Sequence, residues 1–141
     1  MKIGFYLEHN GECDATNSIV EEINRALSLG EIKDGLIFYE DAAKSKPYKC
    51  AMFNSCDLWS FSGKLVTSST KLFNKANNIV NNIEKYFYYG WEPTGALNLI
   101  QIANESNVIC NSEESANEFY RLTNRRADKI VREYKGIAGA L

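Results

Sequence analysis

The chain carries one histidine, His9, just past the apolar run Ile3-Gly4-Phe5-Tyr6-Leu7. An imidazole at the end of a strand can serve as a general base or hold a sugar hydroxyl. A solvated loop histidine is the plainer meaning, because no partner is fixed beside it. Asn10 follows it. Glu40 and Asp41 close a second apolar run, Leu36-Ile37-Phe38-Tyr39. An acid at such a strand end can bind ribose hydroxyls, or simply sit in a solvated turn. Trp91 and Glu92 end the aromatic run Tyr86-Phe87-Tyr88-Tyr89. Aromatic faces of this kind stack on a sugar or a base, or pack within a sheet. Asn111, Ser112 and Glu113 stand where the short apolar run Val108-Ile109-Cys110 gives way to a helical pattern. Both Asn111 and Ser112 can accept from the open amides of a helix start. Glu114, three residues after Asn111, has the spacing of a capping box.

Several chemistries lack their residues. The loop Glu8-His9-Asn10-Gly11-Glu12 has one glycine and two carboxylates. A dinucleotide fingerprint needs three glycines at set spacing, and carboxylates repel an entering diphosphate. Gly63-Lys64 resembles the end of a P-loop, but the upstream glycine is missing and Leu65 replaces the magnesium-binding hydroxyl. No cofactor is therefore expected. His9 and Cys13 are four apart without a second pair, so no metal site is expected either. The four cysteines, Cys13, Cys50, Cys56 and Cys110, form no CxxC pair and read as reduced, mostly buried thiols. Arg121, Arg125, Arg126 and Lys129 form a local basic cluster, able to fork onto a phosphate or to make a solvated face with Glu113, Glu114 and Glu118. With a formal net charge of −2 over 141 residues, there is no nucleic-acid footprint.

The elements that must position these residues follow from periodicity. Strands are expected at 2–7, 36–39, 64–68, 85–89, 108–110 and 128–131, with a short one at 51–53 beside the strand at 64–68. Asp57 to Phe61 is expected as a strand of a hairpin with the turn Ser62-Gly63, so Trp59 and Phe61 are core or a patch for a partner. Helices are expected at 16–29 (Ile19, Val20, Ile23, Ala26 and Leu27 inward), from Ser69 or Thr70 to 83 (Leu72, Phe73, Ala76, Ile79, Val80 and Ile83), at 94–103 (Ala96, Leu97, Ile100 and Ala103) and at 112–122 (Ala116, Phe119 and Tyr120). Ser18 or Asp14 is expected to cap the first, Gly30 to end it and Thr94 to cap the third. The tail from Tyr134 on is expected to fray. Alternating strands and helices predict one α/β domain over 1–141: three layers, a Rossmann-like, mostly parallel sheet with helices on both faces. Ligands gather outside the carboxyl ends of such strands, so His9, Asn10, Glu40, Trp91, Asn111, Ser112 and Glu113 are the expected lining of a cleft. No run is apolar for long enough to span a bilayer, and the amino terminus does not read as a signal peptide. No membrane partner and a cytoplasmic setting are expected.

The segment Val108-Ile109-Cys110-Asn111-Ser112-Glu113-Glu114, followed by Phe119-Tyr120-Arg121-Leu122, resembles the last strand and helix of the amino-terminal lobe of two-lobed (GT-B type) glycosyltransferases. There a strand ending in a Ser-Glu pair opens a helix, and a short strand leads on to the second lobe. Ser112-Glu113 and Asp128-Lys129-Ile130-Val131 follow that order over the last third of the chain. The strand, loop and aromatic run also resemble small uncharacterised proteins of T4-like marine phages. The first resemblance implies an acceptor-binding lobe for a sugar or similar small acceptor. Family members carry the nucleotide-sugar site mainly on the carboxyl-terminal lobe, for which these 141 residues leave no room. The lobe is then not catalytic alone and needs a second lobe on another chain to bring a nucleotide sugar. The alternative is a non-enzymatic interaction module or homodimer that keeps the sheet, with Trp59, Phe61 and Trp91 as its surface.

Overall fold

The computed structural model describes residues 1–44, 47–79 and 81–141. Seven strands form one sheet: β1 (Lys2–His9), β2 (Asp34–Asp41), β3 (Ala51–Asn54), β4 (Gly63–Thr67), β5 (Ile83–Tyr89), β6 (Asn107–Cys110) and β7 (Lys129–Ile130). Their order is β3-β2-β1-β4-β5-β6-β7, and every neighbouring pair is parallel. Five helices accompany them: α1 (Asp14–Ser28), α2 (Thr70–Asn77), α3 (Ala96–Glu105), α4 (Glu113–Thr123) and α5 (Ile137–Ala140). This is the expected three-layer, Rossmann-like architecture. The chain runs outward from β1 to β3, then returns past β1 and runs the other way, so the strand order reverses between β1 and β4.

Right-handed crossovers put α1 on one face and α2, α3 and α4 on the other. On the α1 face, Ile3, Phe5, Ile37, Val66, Tyr86, Tyr88 and Ile109 meet Ile19, Val20, Ile23 and Ala26. On the opposite face, Phe73, Phe87, Leu99, Ile102, Val108 and Phe119 form one cluster, and Tyr6, Phe38, Leu65, Leu72 and Ala76 another. α1 ends as expected at Gly30, whose φ of +71° suits a residue without a Cβ. Ser69 caps α2 by accepting from the Leu72 amide at 3.2 Å.

The structure corrects several expectations. Asp57 to Ser60 lies in a 3-10 helix, Ser55–Ser60, instead of a hairpin strand. It leads the chain back across the sheet, with Phe61 buried and Trp59 57% exposed. β3 pairs with β2, away from β4. α2 stops at Asn77, and Ile83 opens β5; Val80 lies outside the described residues. In α3, Leu99, Ile102 and Ala103 are buried, whereas Leu97 is 83% exposed and Ile100 faces outward. The helix is apolar on more than one side, so two stripes satisfied the same spacing, and docking on Phe73 and Phe87 selected one. Tyr120 also faces out, with Arg126 over its ring. Side chains cap neither α1, preceded by Cys13, nor α3, preceded by Gly95. The expected run of buried thiols reduces to Cys110; Cys13 and Cys50 are half-buried and Cys56 is exposed.

The carboxyl-terminal tail departs furthest from expectation. Tyr134, Ile137 and Ala138 are buried on the α1 face. α2, α3 and α4 all sit on the far side, so α1 leaves Tyr86 and Tyr88 uncovered, and the tail fills that space. Glu22 of α1 holds the tail. Its buried carboxylate accepts the amides of Gly136 and Ala138 at 3.0 and 3.1 Å, and both Nε and a terminal nitrogen of Arg25 at 2.8 Å. It thereby satisfies amides that open α5 and would otherwise lack acceptors. At the other end, the Lys64 ammonium donates to the Leu141 carbonyl at 2.7 Å.

Candidate functional site

β1 and β4 end side by side where the strand order reverses, and the loops after them part. A cleft of about 370 Å³ opens there. Leu7, Glu8 and His9 come from the end of β1. Cys13, Asp14, Ala15 and Thr16 come from the start of α1, Ser68 from the β4–α2 connection, Leu72 from the first turn of α2, and Trp91 and Glu92 from the turn after β5. The Ser68 hydroxyl donates to Glu92 Oε2 at 2.9 Å, tying two of these walls together. Thr16 is fully buried, and its hydroxyl lies 3.2 Å from Cys13 Sγ. Glu8, Asp14 and Glu92 bring three carboxylates to the lining, and no lysine or arginine joins them among the described residues. A cleft of this make-up accepts hydrogen bonds from hydroxyl or amino groups and disfavours phosphates.

His9 Nδ1 accepts the Gly11 amide at 3.0 Å. The ring is thus fixed with Nδ1 unprotonated when neutral, leaving Nε2–H as the donor. Trp91 is half-buried, 5.1 Å from the Tyr134 ring and 6.4 Å from Tyr88. It also borders a second, more open cleft of about 490 Å³, shared with Glu92, Thr94, Glu114 and Glu118. At Gly90 φ is +100°, and a Cβ would come within 2.9 Å of the Ser115 Cβ. Gly90→Ala is expected to cost about 1–3 kcal/mol, read as a lowered melting temperature, because the backbone that sets Trp91 is strained for any L side chain.

His9 and Trp91 come together in the cleft; the other expected site residues lie elsewhere. Asn10 accepts the Ala43 amide at 2.7 Å through its side chain. Glu40 accepts the Tyr6 hydroxyl and pairs with Lys75 of α2 at 3.1 Å, on the opposite face. Asn111 accepts the Tyr88 hydroxyl at 2.9 Å and the Glu133 amide at 2.8 Å. With Asn111 so engaged, the helix cap falls one residue later than expected: Ser112 accepts the Ser115 amide at 3.1 Å. Glu113 is exposed in the first turn of α4. Glu8, Cys13, Asp14, Thr16 and Ser68 are cleft residues that sequence reasoning passed over. Their signal was present, as loops after two strand ends, but only the strand order makes those two loops neighbours.

The remaining reactive groups are quiet. Burial pushes the Cys110 thiol up to about 12, and burial with Asp34 nearby pushes Cys50 up to about 11, so neither is a thiolate at neutral pH. Arg125 of the basic cluster donates to the Ala103 carbonyl, to the Ser106 carbonyl at 3.0 Å and to Asp128 at 2.8 Å, so both of its terminal nitrogens are engaged within the protein. Among the described residues no group of three His, Cys, Asp or Glu could hold a metal ion, and no helix is long and apolar enough to cross a membrane. The chain matches no protein-family model, no curated protein and no solved structure.

Proposed function

We propose that this domain is a glycosyltransferase-like acceptor lobe that binds a sugar or similar small polyhydroxylated acceptor in the cleft between β1 and β4. One observation carries the reading: an indole stands beside three carboxylates and an imidazole that accepts the Gly11 amide, with no lysine or arginine in the lining among the described residues. Carboxylates accept from sugar hydroxyls, and an aromatic face packs on the apolar side of a pyranose ring. The likeness of the last strand and helix to the amino-terminal lobe of GT-B enzymes points the same way. The same lining disfavours a diphosphate, so the nucleotide-sugar donor belongs on a second lobe outside these residues. The setting is the cytoplasm, where four free thiols stay reduced.

Calorimetry with methyl glycosides and with nucleotide sugars tests this. A neutral glycoside is expected to bind, and the diphosphate to add no affinity. His9→Ala and Trp91→Ala are each expected to weaken binding about tenfold, or 1.4 kcal/mol. Tighter binding of the nucleotide sugar than of its glycoside, or affinity unchanged in both variants, overturns the reading.

A second reading, an interaction module or homodimer, draws on exposed aromatics near the β3 edge: Phe53 is 42% and Trp59 57% exposed. Its surface differs from the one expected, because Phe61 is in the core and Trp91 lines the cleft. Sedimentation showing a strict monomer at high concentration counts against the homodimer form.

A further inference from the structure

We infer that the tail, residues 131–141, forms the cleft as well as covering the core, and that Tyr134 is the positioning residue through which it does so. Tyr134 does not line the cleft, yet it touches what does. Its ring is 1% exposed, stacks on Tyr88 at 4.2 Å and 26°, and meets the Trp91 ring at 5.1 Å and 60°. The loop that carries Trp91 also carries Glu92, which accepts the Ser68 hydroxyl at 2.9 Å from the facing wall. Trp91 is thus set against one buried side chain. Without it, the indole would lose the ring against which it is placed.

The backbone at this point is held under tension. Glu133 and Tyr134 have φ of +50° and +62°, a conformation that L side chains adopt reluctantly and that two successive non-glycine residues rarely share. The surroundings impose it: Asn111 accepts the Glu133 amide, the Tyr88 hydroxyl accepts the Tyr134 amide at 3.2 Å, and Glu22 accepts the Gly136 and Ala138 amides. A strained turn fixed by three separate acceptors places its side chain more closely than a relaxed one. Seating of the tail and shape of the cleft are therefore one equilibrium, with its anchors, Glu22 and Lys64, outside the cleft.

The ligand half of this inference rests on the proposed acceptor site; the structural half does not. The sequence has two tryptophans, so in a Trp59→Phe background the emission reports Trp91 alone. In that background Glu22→Gln is expected to raise acrylamide quenching of Trp91 about twofold, with the circular dichroism of the fold retained, although Glu22 does not touch the indole. Lys64→Met, which frees the other end of the tail, gives the same readout if Glu22→Gln does not fold. Tyr134→Leu keeps an apolar side chain and removes the ring that meets Trp91. It is expected to raise quenching of Trp91 about twofold and to weaken binding of the methyl glycoside about fivefold. A folded Glu22→Gln or Lys64→Met protein with Trp91 quenching unchanged overturns the coupling, as does a folded Tyr134→Leu protein whose Trp91 is quenched as in the parent. If no glycoside binds the parent, the acceptor reading fails, and the quenching measurements still decide whether the tail forms the cleft.

Discussion

Glu22→Ala is expected to lower the unfolding free energy by about 3 kcal/mol, at the lower end of what breaking a buried ion pair costs, because Arg25 is partly solvated. The carboxylate is 3% exposed and has four donors around it: the Nε and a terminal nitrogen of Arg25, and the Gly136 and Ala138 amides. Alanine leaves the two amides without acceptors at a buried helix start. Arg25 keeps a partner in Glu31, at 2.7 Å, so its loss is the smaller part. A thermal melt should show the drop as about 10 °C in a chain of this size. A change within a degree or two would mean that the tail seats without Glu22.

The same carboxylate sets a pH dependence. Burial by itself would raise its pKa; the Arg25 hydrogen bonds and the Gly136 and Ala138 amides outweigh burial and hold it below its ordinary 4.5. A group depressed in the folded state stabilises fully above its unfolded value and loses that contribution as pH falls through the folded value. The parent protein should therefore lose stability steeply below about pH 4.5, and Glu22→Gln, already lacking the charge, should lose less over the same range. Parallel melting curves for the two proteins through this range would show that Glu22 does not carry the acid sensitivity.

The second large effect is expected at Tyr88. Its single O–H proton is shared between the Val131 carbonyl and Asn111 Oδ1, and its oxygen accepts the Tyr134 amide. Tyr88→Phe removes one oxygen and leaves that amide and that carbonyl buried without their partner, a cost of about 2–4 kcal/mol. The core volume is otherwise unchanged, so the loss measures the polar knot alone. Burial pushes the Tyr88 phenol up to about 12, so the hydroxyl stays protonated and the knot is indifferent to pH across the neutral range. Denaturant unfolding of Tyr88→Phe checks the figure; a loss below about 0.5 kcal/mol would mean that water replaces the hydroxyl.

Much of this architecture was legible in the residues. The runs at Ile3, Leu65 and Val108, each followed by a helical stripe, are enough to specify parallel strands with crossovers, because local periodicity and crossover handedness depend on near neighbours in the chain. His9 and Trp91 could be placed at strand ends for the same reason. Asn111 could not be assigned correctly, because its amide is engaged by Tyr88 and Glu133, each 22 or 23 residues away. Glu40 is turned from the cleft by Tyr6 and by Lys75 on a later helix.

By itself, then, the sequence determined a parallel α/β sheet and the rim on which a site must lie, since both follow from short-range patterns of apolar and capping residues. Only the tertiary structure decided which loops share a cleft, which side of α3 is buried, and that the tail expected to fray is core. Each of these depends on the β3-β2-β1-β4 strand order and on which face each crossover leaves bare, and those are contacts between residues far apart in the chain.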